Sequence, residues 1–149
     1  MSKFILAVTD YKMSGFRTIS PVFGENPLRI SEYIDDGEAQ ELILDDILSY
    51  CPTSQILHYL RAVSKKLAHG GQLVVRGLDV LLLSEGLIRG ELNIIQYNQL
   101  MFGEHNHAWS FKQSALHGYD VLDICEQLGL KNKERSINGF YFTYKFERV

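Results

Sequence analysis

The residues able to do chemistry are few and scattered. His105 and His107 stand two apart in Met101-Phe-Gly-Glu-His-Asn-His-Ala-Trp-Ser-Phe111, with Glu104 beside them and Trp109 just beyond. Two imidazoles and a carboxylate suggest a metal, but a site needs a third ligand in place. His58 and His117 fall in separate helical segments, so nothing converges and no metal is expected. Asp10, Asp45 and Asp46 follow apolar runs and could face a cleft, although carboxylates are mostly solvated. Tyr50 could stack on a flat ligand or belong to the core. Cys51 and Cys125, the only cysteines, are too far apart in sequence for a disulfide framework or zinc motif and read as small hydrophobes. No Ser-His-Asp or Cys-His arrangement emerges.

These residues must be positioned by alternating elements. Phe4 to Val8 is a short apolar strand, and Gly15 to Ile19 a second one stopped by Pro21. Between them lies Ala7-Val8-Thr9-Asp10, where a nucleotide-binding domain would carry glycines. Residues 22–37 are rich in Pro, Gly, Asn and Asp and read as loop. Glu41 to Leu48 suits a buried strand. Pro52-Thr53-Ser54 opens a helix with apolar residues at Ile56, Leu57, Leu60, Val63 and Leu67, and Gly70-Gly71 is expected to end it. Gln72 to Arg76 is a strand, and Leu78 to Leu100 two helical pieces broken at Gly86 and Gly90. Ser110-Phe-Lys-Gln113 has the form of a capping box for a helix burying Leu116, Val121, Ile124, Cys125 and Leu128. Asn138-Gly139 marks a hairpin turn. Phe140, Phe142, Tyr144 and Phe146 then alternate with polar neighbours in a closing antiparallel strand.

Alternation of strands and helices predicts a mostly parallel sheet with helices on both faces, closed by an antiparallel hairpin. At 149 residues the chain reads as one domain over 1–149. An apolar fraction of 46% and a charged fraction of 22% predict a folded chain. A net charge of -3 gives no basic footprint, so nucleic acid is not expected as a partner. Lys65-Lys66 and the 131–135 cluster read as solvated surface. No apolar stretch is long enough to span a bilayer and no leader pattern opens the chain, so a cytoplasmic protein is expected.

This order, with its antiparallel last strand, resembles the class I S-adenosylmethionine-dependent methyltransferases. Residues 41–52, then Leu67-Ala-His-Gly-Gly-Gln-Leu-Val-Val-Arg76-Gly-Leu-Asp79, are similar to a branch carrying "LEH", a helix, "LKPGG" and a strand ending in "PD". Residues 101–111 are similar to its "FGGQ…HKWxF" segment, and Gln127-Leu-Gly-Leu130 to its "xLGF". Lys3 to Thr9 aligns with "KLNLGCG" and Gly15 to Ser20 with "GYINVD".

The resemblance implies a Rossmann-like class I methyltransferase fold, S-adenosylmethionine as cofactor, and methyl transfer to a small-molecule or protein acceptor. It also implies where the cofactor would lie, and there the residues differ. The Gly-x-Gly turn is Ala7-Val8-Thr9, with Asp10 next; the ribose-binding acid is Ser20; the adenine-side aspartate aligns near Leu28; "LEH" is Leu48-Ser49-Tyr50. A side chain in the glycine turn blocks close backbone approach. His105, His107 and Trp109 match the segment nearest the substrate and are the catalytic-side candidates. Two expectations result: a methyltransferase with a diverged site, or a pseudoenzyme that serves as a binding or assembly module. The helices that often precede the first strand are absent from the sequence, so a site would be open or completed by a partner or second copy.

Overall fold

The computed structural model describes residues 2–149. Apolar runs give the strands β1 (Lys3–Leu6), β2 (Arg17–Ile19), β3 (Ala39–Asp45) and β4 (Leu67–Leu78), with α1 (Ile56–Lys66) between the last two. Next come α2 (Val80–Ile88), α3 (Ile94–Phe102) and α4 (Gly118–Gln127), then the hairpin β5 (Leu130–Asn138) and β6 (Tyr141–Arg148). The sheet order is β2-β1-β3-β4-β6-β5. β2, β1, β3 and β4 are mutually parallel, while β6 is antiparallel to both β4 and β5.

Alternation along each strand decides which face is buried. Phe4, Leu6, Leu42, Leu44, Leu73, Val75, Phe142, Tyr144 and Phe146 share one face, where Tyr59, Leu60 and Val63 of α1 and Val121, Leu122 and Cys125 of α4 cover them. The helices α2 and α3 form a second, smaller cluster around Leu78, Leu83, Leu92 and Met101, which reaches Phe140 and Tyr141. They thus meet the other face only at its upper end. Along the rest of that face Lys3, Glu41, Ile43, Asp45, Val74, Arg76, Thr143 and Lys145 keep intermediate exposure. The physical reason is the short link between β1 and β2: residues 7–16 form a loop rather than a crossover helix.

Three local expectations change. The helix ends at Lys66, not at the glycines, because Leu67 turns extended to pair with Ala39 and becomes fully buried. Gly70-Gly71 instead make an irregular step within β4. Gly70 has φ +74, and a Cβ on Gly71 would lie 2.7 Å from the Ala68 carbonyl oxygen. Residues 21–38 contain two 3-10 turns and no strand, so Leu28 follows no third strand. Ser110 and Gln113 make no capping box. The box belongs to α3, where Asn93 and Gln96 exchange side-chain-to-backbone hydrogen bonds of 2.9 Å each. Among the described residues no helix is long and apolar enough to cross a membrane.

Candidate functional site

Ligands of open α/β sheets bind at the carboxyl ends of the parallel strands. At the end of β1, Ala7 is buried and its N–H donates to the Ile19 carbonyl at 3.2 Å. Val8 packs against the main core, and Thr9 and Asp10 are exposed. At the end of β2, Ser20 is 0% exposed. Its hydroxyl accepts from the Val22 N–H at 3.2 Å and caps the 3-10 turn at Pro21–Phe23. The carboxylate of Glu25 accepts from the Ser20 N–H at 3.4 Å and from Arg17 at 2.8 Å. Ser20 and Glu25 are therefore engaged with each other and with their own turn.

The end of β3 carries the densest polar cluster. Asp46 adopts φ 56, a left-handed conformation uncommon outside glycine. Its N–H donates to the Arg76 carbonyl at 2.8 Å, and its carboxylate accepts from Ser49 Oγ and from Lys112 Nζ, each at 3.2 Å. The side chains of Lys112 and Asp46 are 7% and 16% exposed. Burial raises the pKa of Asp46, and the Lys112 charge and hydrogen bond work against that rise. Beside this pair, Asp45 binds Arg76 at 2.9 Å, and the guanidinium lies 4.0 Å from the centre of the Tyr141 ring.

Tyr50 sits in the 3-10 turn Leu48–Tyr50 just after β3, buried, with Lys112 Nζ 5.9 Å from its ring centre and Trp109 at 6.2 Å. Burial, then the nearby Asp46 charge, push its phenol up to about 12, so it stays neutral at physiological pH. The structure thus brings Tyr50 and Trp109 together.

Trp109 arrives on a strap, residues 103–117, which folds back over residues 46–53. The N–H groups of Gln113 and Ser114 donate to the Ser49 carbonyl at 2.7 and 3.0 Å, and Ser114 Oγ donates to the Cys51 carbonyl. Gly103 starts the strap at φ +85, where a Cβ would collide with the Ser110 carbonyl. Ser110 Oγ closes the loop by accepting from the N–H groups of Asn106 and His107 at 2.8 and 3.0 Å. His105 and His107 are exposed and already engaged. The His105 ring stacks on Phe111 at 4.3 Å between centres, with its Nε2 2.8 Å from the Phe102 carbonyl. His107 Nδ1 accepts from the Trp109 N–H at 3.3 Å. Among the described residues no three His, Cys, Asp or Glu side chains are grouped to hold a metal, and both cysteines are buried and free.

Leu28 lines a separate groove of about 440 Å³ with Pro52, Tyr59 and Ala62, rimmed by Arg29 and His58. Sequence reasoning missed Lys112, Arg76 and Tyr141. Lys112 lies within the apparent capping box, and its partner is 66 residues away.

No protein-family model and no curated protein matches the chain. Solved structures do. An O-methyltransferase family protein from Burkholderia thailandensis superposes with a TM-score of 0.57 at 14% identity, over 90% of this chain and 36% of that one. A SAM-dependent methyltransferase from Archaeoglobus fulgidus gives 0.58 at 8% identity, over 97% of this chain and 75% of that one. A Haloferax volcanii methyltransferase in complex with the Trm112 activator gives 0.57 at 9% identity, over 99% and 71%. The chain spans only 36% and 34% of the length of the two O-methyltransferase family proteins it resembles. The chain has the class I methyltransferase fold.

Proposed function

We propose that this chain is a methyltransferase-fold protein that does not turn over S-adenosylmethionine and serves as a binding or assembly module. The observation that carries the reading is the buried Lys112–Asp46 pair at the end of β3, 3.2 Å apart, with the strap above it. The residues present do not fit the cofactor. No free acid stands at the end of β2, because Ser20 is wholly buried and its hydroxyl caps a turn. Ala7 and Thr9 stand where the turn would need glycine, and Ala7 is buried. The Asp46 carboxylate at the end of β3 is committed to Lys112, so a sulfonium entering there would meet a neutralised ion pair rather than a free anion.

Magnitudes support the same reading. Each lost hydrogen bond to a charged group costs about 1.5–3 kcal/mol. Micromolar affinity amounts to only about 8 kcal/mol in all, so two or three such losses abolish useful binding. Exposed apolar side chains on the α2–α3 hairpin suit a role in assembly: Ile88, Ile94 and Ile95 are 84%, 57% and 64% exposed. The Haloferax protein, complexed with a protein activator, is a fold relative that works beside a protein partner.

Isothermal titration of the wild-type chain with S-adenosylmethionine and with S-adenosylhomocysteine tests the reading. No heat beyond dilution is expected for either ligand at millimolar concentration. Micromolar binding of either would overturn it and favour a diverged methyltransferase acting on a small-molecule or protein acceptor.

A further inference from the structure

The sheet face opposite α1 and α4 is unusual for a parallel sheet. Strands buried on one side only are common in antiparallel sheets, whereas parallel strands are almost always covered on both faces. Here β1, β3, β4 and β6 present an ordered grid to that side. The register sets Lys3, Glu41, Gln72 and Glu147 in a lower row and Ile5, Ile43, Val74 and Lys145 in a middle row. Asp45, Arg76 and Thr143 make the upper row. Among the described residues the 7–16 loop rests on the grid, at its β1 side, where Thr18 Oγ1 donates to the Tyr11 carbonyl at 2.6 Å and Ile5 is fully covered. Tyr11 and Met13 wall a groove of about 370 Å³ over Ile43 and Val74, and are themselves 50% and 38% exposed.

We propose that this face packs against the same face of a second copy of the chain, about a two-fold axis running along the strands between β3 and β4. The charge pattern selects both the partner and the axis. Rotation about that axis keeps each row at its height and exchanges columns, so β1 lies over β6 and β3 over β4 of the other copy. Lys3 then faces Glu147, Asp45 faces Arg76, and Ile43 faces Val74, each twice. An axis across the strands would instead set Glu41 on Asp45, a like-charge contact. Shape agrees with charge. The loop carrying Tyr11 and Met13 stands over β1 of each copy and meets the bare β6 of the other. Aligned sheets pack about 10 Å apart with their strands about 30° off parallel, which such an axis permits.

The area sets the strength. Four strands about 4.8 Å apart, crossed by three rows of side chains that span about five residues, give a footprint of roughly 320 Å² per copy before the loops are added. Two copies reach about 640 Å² from the strands alone, below the roughly 1,200 Å² of stable complexes, so the dimer is a weak and reversible one. Nothing in this inference depends on whether the crevice takes a cofactor.

Sedimentation equilibrium of the full chain over a concentration series tests it. The mass is expected to rise from 17.1 kDa toward twice that value. Ile43→Arg should hold it at the monomer, with an unchanged far-ultraviolet circular dichroism spectrum. The decisive arm uses Lys3→Glu and Glu147→Lys. Each variant alone sets two like-charge pairs at the interface and should dimerise about tenfold more weakly. Mixed together, they pair opposite charges at every contact and should associate at least as well as wild type. A chain that stays monomeric at the highest concentration it tolerates overturns the proposal and leaves the face to a different protein or to further polypeptide. Variants that dimerise like wild type, or a mixture that fails to recover, overturn it as well, because the interface then lies elsewhere.

Discussion

Asp79 gathers more of the fold than any other single carboxylate. It is 5% exposed and directly follows β4. One oxygen accepts from the Leu81 and Leu82 N–H groups at 2.9 and 3.2 Å and caps α2. The other accepts from the Gly118 N–H at 2.8 Å and lies 3.1 Å from His117 Nδ1, and so holds the start of α4. Burial works against its charge, but the hydrogen bonds from Gly118, Leu82, His117 and Leu81 together outweigh that and hold its carboxyl below the usual 3.8. A carboxylate lowered in the folded state stabilises above its unfolded pKa and loses that contribution as pH falls through its folded pKa. Asp79→Ala should therefore cost about 2 kcal/mol at neutral pH, the loss of a helix cap and of charge-assisted hydrogen bonds. Urea midpoints of wild type and variant should converge below about pH 4. A gap that persists undiminished into stronger acid would mean that the carboxylate's charge is not what matters.

Between elements, the Lys112–Asp46 pair joins the strap to the end of β3, and both side chains are largely withdrawn from water. Breaking a buried pair leaves one uncompensated charge, whereas replacing both partners often does little harm. Lys112→Met and Asp46→Asn should each cost about 3 kcal/mol, and the double variant should be as stable as wild type or more so. In Lys112→Met the rise of the Asp46 pKa from burial is opposed only by the Ser49 hydrogen bond and the more distant Arg76 charge. Its penalty should therefore grow as pH rises past that pKa and vanish as Asp46 takes up a proton. Additive single costs in denaturant titrations would show that the pair does not act as a unit.

The same elements show what the sequence could reveal. Asn138-Gly139 and the alternation through Phe142, Tyr144 and Phe146 are local signals; the hairpin and its buried face match them, but the loop is Gly139-Phe140, because Asn138 pairs with Tyr141 and only Gly139 takes positive φ. The strand, helix and strand order was legible for the same reason, since each element buries one apolar stripe. Ser110 and Gln113 match a capping pattern locally, but tertiary bonding decides their use: the Gln113 N–H goes to the Ser49 carbonyl and Ser110 closes its own loop. The Asp46–Lys112 contact spans 66 residues and has no local signature at all. Tyr50 and Trp109 each stand out in the sequence, but their meeting depends on where the strap lands.

At the scale of the whole molecule, the proposed loss of cofactor binding rests on features distributed over several elements. Val8 packs on the core after β1, Ser20 caps a turn after β2, the segment before β3 forms no strand, and Lys112 reaches in from beyond α3. Restoring a sequence motif would therefore not restore a site. In the triple variant Ala7→Gly, Thr9→Gly, Ser20→Asp, the new carboxylate would be buried at a position 0% exposed, where the Ser20 backbone N–H already binds Glu25. It would lie near a like charge without a cation of its own, since Arg17 is held by Glu25. Burying an unpaired carboxylate is costly, so the variant should unfold at lower temperature than wild type. Its titration with S-adenosylmethionine should show no gain over wild type, and adding Lys112→Ala should not change that result. A tenfold or greater gain in affinity from the three substitutions would mean instead that the crevice keeps its shape and that only the contacting side chains have drifted.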